Sequence, residues 1–166
     1  MDRQKSIELM NRAAADELLA IEQYLYFHFI CEDRGYDPLS AIFKRVSIVE
    51  MGHLEMLAER ILFLGGDIVL KAAGPVEQIR DVKQMLEKSM ELEEGSIGDY
   101  NSWANLCAAN EDSATKALFE KLVAVEEEHL DVFETEMKNL EKFGDNYLAL
   151  QAIARSNQAG KPDASE

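Results

Sequence analysis

Cysteine, proline and basic residues are all scarce in this chain: two cysteines, three prolines, and 17 lysines and arginines against 32 aspartates and glutamates. Two thiols, Cys31 and Cys107, with no CxxC pair exclude a disulfide scaffold, a zinc knuckle and a thioredoxin-type motif. Three prolines and nine glycines are too few for the many tight turns of a sandwich or barrel, which leaves a mostly helical protein. A net charge of −15 sets the surface against nucleic acid and anionic membrane and favours cations and metal ions as partners. The first twenty residues carry acids and no uninterrupted apolar stretch, so neither a secretory signal nor a membrane span is predicted, and the expected location is cytoplasmic.

What is present is a chain of 166 residues, 47% hydrophobic, enough for one domain with a real core. Apolar residues recur at helical spacing in four long runs, which predict helices over about 4–34, 38–64, 77–110 and 113–143. A short coda predicts a fifth over about 146–154, so the domain spans 1–154 and 155–166 is expected to be a disordered tail. Gly65-Gly66 is expected to end the second helix through left-handed positions. The links after the first and third helices are short, as in antiparallel hairpins, whereas the segment GGDIVLKAAGPV can reach about 40 Å when extended, as far as the helices themselves. The expected fold is therefore all-α, a four-helix bundle with one long crossover between its second and third helices.

The chain also repeats itself at an offset of 76 residues. Glu17 falls on Glu93, Tyr24 on Tyr100, Cys31 on Cys107, Glu50 on Glu126 and His53 on His129, while Ile21, Phe43 and Leu54 fall on Ile97, Phe119 and Leu130. At 100° per residue, Glu17 shares a helix face with Ile21, Tyr24 and His28, and Glu50 and His53 lie within the stripe of Val46, Val49 and Leu57. Four carboxylates and two imidazoles thus point into one interior, and no lysine or arginine falls on the inward stripes beside them. Burying them uncompensated would cost many kcal/mol, so two divalent metal ions are expected among them. One Glu from each of two helices plus Glu-x-x-His from each of the other two is the donor set of di-iron and di-manganese carboxylate bundles. Oxygen-rich ligation with one imidazole per metal suits iron or manganese better than structural zinc.

On these residues the chain resembles the bacterioferritins of the ferritin-like superfamily, from about Ser6 to Ile153. The resemblance is carried by DELLAIEQY, SIVEMGHLEMLAERILFLGG, MELEEG and VEEEHLDVFETEM. It implies a ferritin-like bundle with two iron ions per subunit: terminal ligands Glu17 and Glu93, bridging carboxylates Glu50 and Glu126, and imidazole ligands His53 and His129. It implies a ferroxidase that oxidises Fe(II) with dioxygen or hydrogen peroxide and stores ferric mineral in a hollow 24-subunit cage built from dimers. A ferredoxin-type reductant for iron release is a further implied partner. A haem shared between two subunits is implied as well, with Met51 as its axial ligand; one residue beyond Glu50, Met51 turns about 100° away from the metal face. Arg45 and Val49 stand where the family often has an inner-surface iron site, and Val132 and Phe133 where many members have a tryptophan, for which Trp103 is no obvious substitute.

Bland roles are expected for the remaining polar residues: His28 as a hydrogen-bonded core histidine, and Cys31 and Cys107 as thiols at opposite ends of the bundle. Tyr24 and Tyr100 have two readings, core phenols packed with satisfied hydroxyls, or donors or radical relays beside the ligands. Rival functions are a rubrerythrin-like peroxide reductase, a dodecameric mini-ferritin and a helical interaction module.

Overall fold

A computed structural model describes residues 1–159 of the chain. Five helices follow in order: α1 (Arg3–Asp33), α2 (Asp37–Phe63), α3 (Val82–Ala109), α4 (Ser113–Phe143) and α5 (Asp145–Ala159). Their starts are set by short polar side chains that accept otherwise unpaired backbone N–H groups. Asp2 accepts from Gln4 and Lys5, Asp81 from Gln84, and Asp112 from Thr115. In α2 no side chain caps, and Pro38 opens the first turn, where its missing N–H costs nothing. Gly65 ends α2 in the left-handed region at φ 85°. Gly66, expected to share that role, does not; it is needed because a Cβ there would lie 2.8 Å from two side-chain carbons of Ile7.

The helix directions follow from contacts at the ends. Asn110, just past α3, accepts from the N–H of Asp2 at the start of α1, and Cys31 near the end of α1 touches Met85 near the start of α3. Arg60, near the end of α2, donates to Thr115 and Asp112 at the start of α4. Both cross-bundle pairs are therefore antiparallel, so α2 and α3 run parallel and 64–81 must return along the bundle. It does so strapped to α1: the Asn11 side chain bonds Asp67 and Val69, the N–H of Ala73 donates to the carbonyl of Ala15, and the Gln23 amide clamps both backbone groups of Glu77. The expected crossover bundle is the observed fold.

Two boundaries differ from expectation. The third helix begins at Val82 rather than near 77, because Gln23 holds Glu77 in the strap and Asp81 supplies the cap. The fifth continues through 155–159, which were expected to be tail; it docks through Tyr147, whose O–H donates to Glu136, and Gln151, which accepts from the N–H of Leu39. The rest of the expected tail, 160–166, lies outside the described residues. No helix among the described residues is long and apolar enough to cross a membrane.

Two apolar clusters fill the bundle on either side of a polar middle. One gathers Met10, Leu57, Ile61, Trp103, Phe119 and Leu122; the other Phe27, Leu39, Phe43, Leu86 and Phe133. Each such side chain contributes about 1.5–3 kcal/mol when fully buried. That apolar burial offsets the cost of the charged layer between the clusters.

Candidate metal centre

All six residues singled out by the repeat meet in that middle layer. Glu17, Glu50, His53, Glu93, Glu126 and His129 are each at most 7% exposed. Their donor atoms form two overlapping sets, Glu17, Glu50, His53 and Glu126 in one, and Glu50, Glu93, Glu126 and His129 in the other, with all atoms of a set within 4.8 Å of one another. Each set takes its imidazole from one hairpin's second helix and its unshared carboxylate from that hairpin's first helix. Glu50 and Glu126 belong to both.

The contacts are close but do not pair off. His53 Nδ1 lies 2.7 Å from Glu50, 3.1 Å from Glu126 and 3.5 Å from Glu17. His129 Nδ1 lies 2.9 Å from Glu50, 3.2 Å from Glu126 and 3.7 Å from Glu93. Yet both Glu50 oxygens, Glu126 Oε1 and His53 Nδ1 are buried without a hydrogen-bond partner of proper geometry. Buried polar atoms are normally satisfied. Four of them converging on shared points, from a donor set rich in hard oxygen, fit a pair of cations of the iron or manganese type.

Without a cation, protons carry the positive charge. Burial alone would depress the His53 imidazole, but the carboxylates of Glu126, Glu17 and Glu50 push it up to about 12. His129 is pushed up to about 11 against burial by Glu126, Glu50 and Glu93. Burial, countered in part by His129, raises Glu93 to about 8, and burial also holds Glu17 well above the usual carboxylate range. Glu126 goes the other way: burial opposes its ionisation, but His129 and His53 on either side bring it down to about 2. The same loose charge is thus available to be displaced by metal.

The unshared carboxylates are held by tyrosines from the opposite hairpin. Tyr24 on α1 donates to Glu93 on α3, and Tyr100 on α3 donates 2.6 Å to Glu17 on α1. Both tyrosines are fully buried with satisfied hydroxyls, and each hydroxyl is aimed at a ligand candidate, as a donor beside the ligands requires. Trp103 packs on Tyr100 at 5.7 Å between ring centroids, a neighbour of the centre that sequence reasoning passed over. The signal was in the repeat, where Trp103 aligns with Phe27. His28 stands outside the centre as expected, with Nδ1 2.7 Å from Ser40 Oγ. Cys31 and Cys107 are free and buried. Met51 faces away from the metal layer, 49% exposed beside the exposed Ile48.

Comparison with known proteins agrees with this geometry. A family model described as a ferritin-like domain matches residues 7–143. Curated relatives include a bacterioferritin of Desulfovibrio desulfuricans, 36% identical over 87% of this chain and 81% of that protein. Another, from Brucella melitensis, is 34% identical over 93% of this chain and 96% of its own length. Among solved structures, one of the Desulfovibrio desulfuricans bacterioferritin with its diiron site in different catalytic states superposes with a TM-score of 0.89. It covers 99% of this chain and 92% of that one at 34% identity.

Proposed function

The chain belongs to the ferritin-like domain family, and from that premise we propose that it is a bacterioferritin-like iron store whose buried centre oxidises Fe(II) to Fe(III) with dioxygen or peroxide. The observation that carries this reading is the pair of donor sets that overlap in Glu50 and Glu126. Glu17 and His53 would hold one iron and Glu93 and His129 the other, with Glu50 and Glu126 available to both. When bound, the irons supply two one-electron changes at neighbouring positions.

The chain's own residues do the rest. Tyr24 and Tyr100 hold the terminal carboxylates in place from across the bundle. The apolar clusters above and below exclude bulk water from the layer between them. The acidic surface of a chain of net charge −15 draws Fe(II) and favours ferric nucleation on the walls of a cage, which we assign as a 24-mer of dimers in the cytoplasm, emptied through a ferredoxin-type reductant. At the surface, the exposed thioether of Met51 on an apolar patch fits a haem shared between two subunits. The rubrerythrin-like alternative is not favoured, since the relatives and the solved structure that the chain matches over most of its length are bacterioferritins.

The test is a titration of metal-free protein with Fe(II) in aerated buffer, followed by near-ultraviolet absorbance. A fast phase that breaks at two irons per chain, one per donor set, is the expected result. Glu126→Ala, which takes a ligand from both sets, should lose that break and slow the initial rate by more than about tenfold. A slow response with no break in the wild-type protein overturns the reading.

A further inference from the structure

Glycine inside a helix is costly, and among the described residues three glycines stand there: Gly52 in α2, and Gly95 and Gly98 in α3. None has a positive φ, and a Cβ added at any of them would meet nothing within 4 Å. Neither backbone geometry nor packing requires them, although each weakens its helix relative to alanine. Gly52 adjoins Met51, on the patch already assigned to haem. Gly95 and Gly98 lie elsewhere, two and five residues past Glu93. The first half of the repeat has Leu19 and Glu22 at these places, two and five residues past Glu17. Gly95 also lines a cavity of 130 Å³ shared with Asp16, Leu19 and Ala20 of α1. This stretch of α3 is therefore soft in its backbone and has room beside it. His129, which shares a donor set with Glu93, is 7% exposed against 2% for His53 in the other set.

We propose that Gly95 and Gly98 are positioning residues: they make a soft turn at which α3 flexes, moving Glu93 away from the metal layer so that metal enters and leaves the Glu93–His129 half of the centre. The proposal rests on the iron reading above. Glu93 belongs to one donor set only, so its displacement opens that set and leaves Glu17, Glu50, His53 and Glu126 together. No glycine stands in α1, so Glu17 has no equivalent freedom. The motion breaks the hydrogen bond from Tyr24 to Glu93 and a few backbone bonds of α3, the scale of local opening that native helices undergo. Glycine gains more conformational freedom than alanine when a turn opens, so each one favours the open state by about fourfold. The two halves, alike in their donor atoms, thus differ in exchange: the Glu17–His53 half retains its metal and the Glu93–His129 half trades it.

Amide hydrogen exchange in metal-free protein tests the soft turn directly. The amides of 94–99 should exchange about tenfold faster than those of 18–23, their equivalents in α1. In the double variant Gly95→Ala with Gly98→Ala, exchange over 94–99 should slow by about fifteenfold, two steps of about fourfold, and the melting temperature should rise. Alanine meets no neighbour at either position, so the variant folds. The consequence for metal is tested by loading Co(II) and following its release to excess chelator. Wild-type protein should lose its two ions in a fast and a slow phase, and the double variant should slow the fast phase by a similar factor while keeping the slow one. Asn105→Ala, at an exposed position twelve residues beyond Glu93, should raise the melting temperature and change neither phase. Equal exchange over 94–99 and 18–23 overturns the proposal, as does a fast phase of wild-type rate in the double variant. So does a double variant that keeps wild-type exchange but no longer assembles on size-exclusion chromatography, which would assign the glycines to packing between copies. The exchange arm needs no metal, so its failure is distinct from failure of the iron reading, which the Fe(II) titration decides.

Discussion

Glu126 and Glu93 show how one layer of a bundle holds the same side chain in opposite states. Glu126 lies between two imidazoles and is brought down to about 2, whereas Glu93 takes its main influence from burial and rises to about 8. The consequence is a proton inventory with a definite sign. Between the ordinary value of 4.5 and about 8, the folded metal-free protein keeps a proton on Glu93 that the unfolded chain has given up. Glu93 therefore stabilises the fold fully below 4.5, and that contribution is lost as pH rises through about 8. The raised imidazoles behave alike but far higher, losing theirs only as pH passes about 11 and 12. Metal ligands must be deprotonated to bind, so metal competes with these protons and binds more tightly as pH rises. The stabilisation conferred by a redox-inert probe such as Co(II), read as the difference in melting temperature between loaded and metal-free protein, should grow from pH 6 to pH 8. A difference that is flat or shrinks over that window would place the protons elsewhere.

At the scale of elements, what could be read in advance was whatever is local. The four Glu and two His were legible because inward orientation is a matter of spacing on a single helix, and the repeat exposed them twice. The start of α3 was not, because it depends on Gln23 clamping Glu77 from 54 positions away, a contact with no local signature. Gly66 was misread for the same reason: its need is the side chain of Ile7, not its own backbone angle. Asp112 combines both kinds of information. It is a recognisable cap for α4, but it also accepts from Arg60 of α2, 2.8 Å away, and so joins the two hairpins at one end. Burial would raise its pKa, but hydrogen bonds from Thr115, Ser6 and Arg60 hold it below the usual carboxylate value. A depressed carboxylate stabilises the fold above its unfolded value of 3.8, and that stability is lost as pH falls through the folded value. Asp112→Asn should thus cost roughly 1–3 kcal/mol in urea unfolding at neutral pH. The gap from wild type should close as the pH drops below 3.8. A gap that persists unchanged in acid would mean that the carboxylate charge contributes nothing.

At the scale of the whole molecule, the outward surface is as uneven as the interior. A chain of net charge −15 that nevertheless leaves Ile48 and Met51 about half exposed, one turn apart on α2, has a short apolar seam in an otherwise repelling surface. Such a seam suits a second copy, since a self-complementary apolar contact offsets the like-charge repulsion between acidic subunits. Met51 separates two uses of that seam, because leucine keeps the apolar volume and lacks the sulfur. If the thioether ligates haem at a subunit pair, Met51→Leu should still assemble, as judged by size-exclusion chromatography, and should still show the two-iron break. On titration with haem it should lose the sharp absorption band of a thioether-ligated iron that the wild-type protein acquires. If Met51→Leu takes up haem with the wild-type spectrum, Met51 is an interface residue only. The seam would then serve assembly alone.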